Sequence, residues 1–482
     1  MSHSKLILKN AFSMLVVRVL TPLSALILFV YASRKYSVEE IGKYSLLLAF
    51  YQMVQYLALL GLMPYLVKEI AKDKTLANKY ILNMCWIVLP ASILVCAGLY
   101  GVGILFRYPA DVLHGMLWLF LLVIIGTIAV IYESVFVAYE KIDLIAVVVA
   151  IETVLRLVAS VLLIKTGFGF TSLILTMALS RFFATGLYVV IMRQISHPGA
   201  EGGAGTARID FSFIKELLGI CRIFFAISLC STLINRVDFV LLSKLRSFKE
   251  VAFYTASYRV LDICVLIAST LIFVIFPFLS RLYYVSTVET LEATKKFIKY
   301  LSILVIFLVS LVFSFAGQII TLFYSKNYEV SVGILRILIF TAFFLSLDQV
   351  FAGLFIISNN QKLDLKVLLV GTFIYLMLLL ALIPPFGYYG AAIATVLAMI
   401  CQLGVRYFYF KKYVFHIPLF HLVWKPILAG FLMVLSTRLF SGWLWFWLVP
   451  LSVGLYGLFL FALGTFGKED LAFFIRLKPG AL

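Results

Sequence analysis

The chain has 482 residues, of which 64% are hydrophobic and only 13% charged, and it carries a net charge of +18. Soluble domains hold ~45–50% apolar residues, so this composition excludes a soluble globule and places the chain in a bilayer. The positive balance does not indicate nucleic acid, because that reading needs cations gathered on a soluble face and the sequence contains no soluble domain.

A helix needs roughly 20 mostly apolar residues to cross a bilayer. Fourteen stretches approach or exceed that length, at 11–32, 44–66, 81–103, 113–138, 142–164, 171–192, 216–242, 251–275, 297–317, 331–357, 366–383, 387–410, 421–440 and 442–464. They are continuously apolar, whereas barrel strands alternate over about ten residues, so the expectation is an all-α integral membrane fold. The first stretch is too long for a signal peptide and contains Arg18.

Residues 29–45, FVYASRKYSVEEIGKYS, reappear without a gap at 239–255 as FVLLSKLRSFKEVAFYT. Two further matches follow in the same order: Pro64, Tyr65, Leu66 and Lys68 with Pro277, Phe278, Leu279 and Arg281, and 140–144 (EKIDL) with 361–365 (QKLDL). These matches lie in polar loops or at helix ends, so shared apolar composition does not explain them, and they indicate a duplicated unit. Six crossings per unit make the repeat a parallel one. The expected organisation is a first six-helix lobe over 1–195, a connector over 196–215, a second lobe over 216–412, and two appended helices with a tail over 413–482. Two such lobes are expected to enclose a central cavity. Pro64 and Pro277, at matched positions, are expected to mark bends. Lys and Arg at one set of helix ends outnumber those at the other by roughly two to one, which puts both termini in the cytoplasm.

The connector contains HPGAEGGAGT and reads as a flexible link, since its glycines lack the Lys-Ser/Thr of a phosphate-cradling loop. Six cysteines are scattered without Cys-x-x-Cys spacing, and five histidines sit at ends and loops. No metal site, catalytic residue or bound cofactor is expected from them, and the chain does not read as an enzyme.

The informative residues are ionisable groups left inside apolar helices, each costing ~2.5–3.5 kcal/mol at a helix centre. The cations are Arg18, Arg156, Arg181, Arg222, Arg236, Arg259 and Arg336; the anions include Glu133, Glu152, Asp238, Asp262 and Asp348. Glu152 and Arg156 are spaced i, i+4 and Arg259 and Asp262 i, i+3, so each pair can neutralise itself on one helix face. Arg236 and Asp238 are two apart, point in divergent directions, and need partners on other helices. That the deep cations are arginines suits a cavity that accepts a phosphorylated head, because the guanidinium stays charged and grips phosphate with two N–H groups. The seven arginines are therefore candidates for an anionic ligand. Asp238, Asp262, Asp348 and Glu133 are candidates for coupling to H+ or Na+. Tyr254 and Tyr258 are placed either for stacking on sugars or for the aromatic belt at the membrane interface, the more frequent use of such residues.

YSVEEIGKYS after the first segment, its echo between the seventh and eighth, and NRVDFVLLSKL at 235–245 resemble the polysaccharide-biosynthesis, O-antigen flippase family of the multidrug/oligosaccharidyl-lipid/polysaccharide exporter (MOP) superfamily, with a MATE-like fold. The resemblance implies a bacterial inner-membrane flippase. Its cargo would be an undecaprenyl-diphosphate-linked oligosaccharide moved from the cytoplasmic to the periplasmic leaflet by alternating access, with membrane lipids and glycan polymerase or ligase machinery as partners. Alternatives within the superfamily are a multidrug antiporter for cations and a lipid II flippase. The first segment lacks the Arg-Asp pair associated with the latter.

Overall fold

The computed structural model describes residues 3–196, 209–440 and 445–465. Residues 197–208 of the expected connector and the tail from 466 therefore lie outside the described residues. Fifteen α-helices follow in order: α1 (His3–Ser33), α2 (Val38–Ala58), α3 (Met63–Lys72), α4 (Ala77–Leu105), α5 (Ala110–Ala138), α6 (Ile142–Lys165), α7 (Thr171–Ser196), α8 (Phe211–Leu245), α9 (Phe248–Val285), α10 (Thr287–Phe323), α11 (Ser331–Leu338), α12 (Phe340–Ile357), α13 (Gln361–Tyr413), α14 (Leu419–Leu439) and α15 (Trp445–Ala462). No strand occurs among the described residues. In lipid every backbone N–H and C=O must be satisfied internally, and a continuously apolar sequence does so as helix.

Eleven of these helical segments are long and apolar enough to cross a bilayer, and α2 with α3 makes a twelfth span bent by 45°. The 53-residue α13 breaks at Gly387, whose φ of +56° suits a residue without Cβ. The two arms on either side match the expected eleventh and twelfth segments. A Cβ at Gly390 would lie 1.9 Å from the Leu382 carbonyl oxygen, so the chain folds back tightly there. Among the described residues this gives eleven to twelve spans, and the fourteen expected stretches each fall on a helical segment once α13 is divided at Gly387 and the shorter apolar helix at 446–462 is included. The protein is a multi-pass membrane protein.

The bend between α2 and α3 has a different origin from the one expected. Leu60 and Gly61 take positive φ values of 53° and 69°, and Pro64 then begins α3 in the first helical turn, where its missing N–H costs nothing. Pro277 lies inside the uninterrupted α9.

The chain divides into two compact units. The first comprises residues 1–255 and 368–391. In it α5 packs on α7, α1 on α6, α2 on α8, and α4 on α5. Its core includes Leu66, Met84, Val135, Phe136 and Tyr188, all fully buried. Both copies of the repeated loop fall in this unit and touch each other. The N-terminus of α2 is held by a capping box between Ser37 and Glu40. One turn on, Gly42 lies against the start of α9, where a Cβ would sit 1.8 Å from the Phe248 carbonyl oxygen. Lys43 pairs with Asp111 at 2.7 Å and lies over the Phe248 ring. The Tyr108 hydroxyl meets Ser243 Oγ at 2.8 Å, and Lys244 donates to the Phe106 carbonyl. The loops after α1, α4 and α8 are thereby fastened together. At the start of α8, Asp210 caps the helix through Phe213 N–H and binds Lys79 at 2.9 Å. The Ser212 hydroxyl first, then Lys79 and that N–H, hold the Asp210 carboxyl well below the usual carboxylate range. A depressed native value adds stability above the unfolded value of about 3.9 and loses it as the pH falls through the native one, so this cap is intact at neutral pH.

The second unit comprises residues 256–367 and 392–482. Here α10 packs on α14, α12, α11 and α15 around Ile306, Ala429, Met433, Tyr456 and Leu460. Arg406 on α13 is 1% exposed and is enclosed by Asp348 at 2.7 Å and by Asp364, with Gln402 donating to Asp348 at 2.9 Å. Removing one member of a buried ionic group strands the others without water. Arg406→Ala is therefore expected to lower unfolding stability in detergent by about 3–5 kcal/mol, while joint replacement of Asp348, Asp364 and Arg406 by apolar residues of similar volume restores most of it. An unchanged midpoint for the single variant would contradict this assignment.

Candidate functional site

A cavity of about 280 Å³ opens within the first unit among α1, α2, α5, α6 and α7. Its polar lining comes from Thr21, Tyr51, Gln55, Glu133, Glu152, Thr153, Arg156 and Arg181. Two carboxylates and two guanidiniums share this space, but they are not paired one to one. Arg181 on α7 is clamped between Glu133 on α5 at 2.8 Å and Glu152 on α6 at 3.0 Å. The Tyr188 hydroxyl, two turns along α7, donates to Glu133 at 3.2 Å. The expected i, i+4 pair of Glu152 with Arg156 is therefore not the one that forms. Glu152 takes Arg181 across the helix interface, where a guanidinium of the neighbouring helix reaches the carboxylate without either side chain bending along its own helix.

Arg156 is left with a neutral partner. Its Nη2 donates to Ser24 Oγ on α1 at 2.9 Å, and Ser24 in turn donates to the Thr21 carbonyl. Its Nε is buried with no acceptor, and no carboxylate lies within ion-pair distance of it among the described residues. A half-buried guanidinium with an unsatisfied N–H in a cavity is a ready site for an anion, because an unpaired buried donor costs about 1–3 kcal/mol and a charged acceptor removes that cost.

The other expected residues are distributed over both units. Arg18 stands half-buried on α1 beside Val17, which lines the cavity. Arg222 lies on α8 with its side chain outside the described residues. Arg236 donates to Gln52 on α2 and lies 5.5 Å from the Phe239 ring centre. Asp238 is fully buried and accepts from the Tyr254 hydroxyl on α9 at 2.7 Å, from Tyr375 on α13 and from Phe239 N–H. Beside these Phe239 contacts within α8, Gln52, Tyr254 and Tyr375 reach the two residues from other helices. Tyr254, expected to meet sugars, is fully buried with its ring edge-on to Phe239. Its hydroxyl serves the carboxylate instead. In the second unit Arg259 and Asp262 lie half-buried near the enclosed Tyr324, Asp348 is enclosed with Arg406, and Arg336 lines a separate cavity. Among the described residues no three His, Cys, Asp or Glu side chains gather as a metal site.

Ser24, Tyr51, Gln55 and Tyr188 were not singled out from the sequence. Uncharged polar residues are common in membrane helices, and nothing in their spacing separates these four from the rest.

The family model described as "Polysaccharide biosynthesis protein" matches residues 7–283. No curated protein matches the sequence. Among solved structures, a lipid II flippase MurJ in an inward closed conformation is similar with a TM-score of 0.71 at 15% identity, covering 96% of this chain and 99% of that one. A multidrug resistance MATE family transporter of the MOP superfamily, inward-facing, follows at 0.62 and 14%, covering 88% and 99%. The Vibrio cholerae MATE transporter VcmN in its bent form gives 0.58 and 17%, covering 85% and 96%. At these identities the likeness establishes a common fold, that of MOP-superfamily transporters.

The two arginines of the cavity differ in what their loss exposes. Arg181→Ala strands two carboxylates and is expected to cost about 3–5 kcal/mol of stability, whereas Arg156→Ala gives up one charge-assisted hydrogen bond to a hydroxyl, worth ~1.5–3 kcal/mol, and also removes an unsatisfied buried N–H. Thermal unfolding of the two purified variants checks the difference; equal losses would refute the clamp.

Proposed function

Because this chain belongs to the polysaccharide biosynthesis protein family, we propose that it is a flippase of the bacterial inner membrane, with both termini in the cytoplasm. Its cargo is an undecaprenyl-diphosphate-linked oligosaccharide of the O-antigen type, carried from the cytoplasmic to the periplasmic leaflet by alternating access. The observation that carries this reading is Arg156, a guanidinium facing a polar cavity without a carboxylate to neutralise it. A diphosphate supplies the missing acceptors, and its lipid chain stays in the bilayer while the sugar occupies the polar interior. Arg181, braced on both sides, sets the positions of α5, α6 and α7 around that head. Asp238, whose donors are the Tyr254 and Tyr375 hydroxyls and the Phe239 N–H, is the carboxylate through which a proton or sodium ion is coupled to the step. Asp348 is less suited to that task, since Arg406 and Gln402 already occupy it.

A cationic drug is a poorer fit, because the cavity's one cation without a counter-charge would repel it. Lipid II is the second reading, favoured by the TM-score of 0.71 against a lipid II flippase. It carries the same polyprenyl diphosphate, so Arg156 serves either cargo.

Arg156→Ala, at unchanged membrane abundance, is expected to stop assembly of the surface glycan and to leave lipid-linked units on the cytoplasmic face. Arg156→Lys restores transport in part, since an ammonium keeps the charge without the planar fork. Mass spectrometry of the accumulated lipid identifies the sugars and separates an oligosaccharide repeat unit from lipid II. Full transport by the alanine variant would remove Arg156 from the site.

A further inference from the structure

The second unit holds a cavity of its own. Helix α10 leaves helical geometry at Phe315, where φ and ψ are −102° and 17°. Beside that break lies a space of about 210 Å³ bordered by Phe313, Ser314, Gln318, Arg336, Thr437 and Arg438, with Leu448 of α15 among its apolar walls. At ~30 Å³ per water this holds about seven waters, enough for a phosphate group.

The two charges are of one sign. Arg336 lies 5.8 Å from the Phe313 ring centre, and neither guanidinium has a carboxylate within ion-pair distance among the described residues. Arg181 and Arg406 each have two carboxylates, whereas these two arginines share a space lined by none. Two unpaired guanidiniums around one space repel, and an anion between them reverses the sign of that interaction. Hydroxyl and amide groups complete the lining: the Thr437 hydroxyl donates to Ser314 Oγ at 3.2 Å, and Gln318 adds N–H donors.

Depth also fits. Arg438 is one residue from the end of α14, and Arg336 is five residues past the start of α11, about 8 Å along the axis at 1.5 Å per residue. On the expected topology the end of α14 and the start of α11 lie on the same outer side, so both exposed guanidiniums belong to the outer part of their spans, toward the polar zone of ~5–8 Å that borders each leaflet.

We propose that Arg336 and Arg438 form a binding site for a phosphate ester at headgroup depth, occupied by an anionic glycerophospholipid and separate in residues from the Arg156 cavity. This site does not depend on what Arg156 binds. An anionic lipid seated there closes the space among α10, α11, α14 and α15 by bridging the two cations, with its acyl chains beside the apolar faces of the helices.

The test uses native mass spectrometry of the full chain in detergent. Phosphatidylglycerol, phosphatidylcholine and inorganic phosphate are titrated in separate arms, each with wild type, Arg336→Gln/Arg438→Gln and Arg336→Lys/Arg438→Lys. Retention of phosphatidylglycerol over phosphatidylcholine, reduced about tenfold or more in the Gln pair and partly regained in the Lys pair, is the expected result. Inorganic phosphate competing for the same arginines, with no lipid preference, would support the phosphate site and overturn the lipid as its occupant. No preference for either anion in wild type, or a preference unchanged in the Gln pair, would overturn the proposal. Should the Gln pair fail to fold, the single variant Arg438→Gln, at an exposed position one residue from the end of α14, carries the same comparison, and an unchanged preference in it overturns the proposal.

Discussion

Arg181 between Glu133 and Glu152 is the contact on which the first unit depends. A guanidinium and two carboxylates partly buried at the wall of a cavity among five apolar helices are far from bulk solvent, so each is favoured while the other two are present. The clamp therefore fixes α5, α6 and α7 against one another, and it does so by using both carboxylates on a single cation. The consequence appears on the far wall of the same cavity. Arg156, which lies one turn from Glu152 and could otherwise have taken it, is left with the Ser24 hydroxyl and a buried N–H that has no acceptor. A structural ion triad thus produces, by exhausting the local carboxylates, a cation available to a ligand.

The second unit solves the same problem to the opposite end. Arg406 is enclosed by Asp348 and Asp364 with no space for a guest, so its charge is spent on holding α12 to α13. Burial is nearly complete there and partial at Arg156. The two arginines differ in whether the neighbouring helices supply carboxylates.

Much of this was legible in the sequence. The two loops of like sequence were legible, and the structure brings them into contact at Gly42 and Phe248. The fourteen apolar stretches correspond to helical segments once α13 is divided at Gly387. The divergent spacing of Arg236 and Asp238 correctly required partners from other helices. What the sequence did not disclose was pairing across helices. Glu152 and Arg156 satisfy the i, i+4 rule, yet Arg181, 29 positions away in the chain, wins the carboxylate, because contact between α6 and α7 depends on helix rotation that no local spacing encodes. Asp364 read as part of a polar loop match and Arg406 lies 42 positions from it, so their union with Asp348 was invisible. Tyr254 has the composition of a sugar platform and the position of a carboxylate's hydrogen-bond donor, which only packing decides.

The central claim is that Arg156 offers its guanidinium to a diphosphate head. The most direct measurement is the affinity of the purified protein for undecaprenyl diphosphate against that for the uncharged polyprenol, in wild type and in Arg156→Gln. The account predicts a preference for the diphosphate of about tenfold or more in wild type that disappears in the variant. A preference that survives the substitution intact would contradict it.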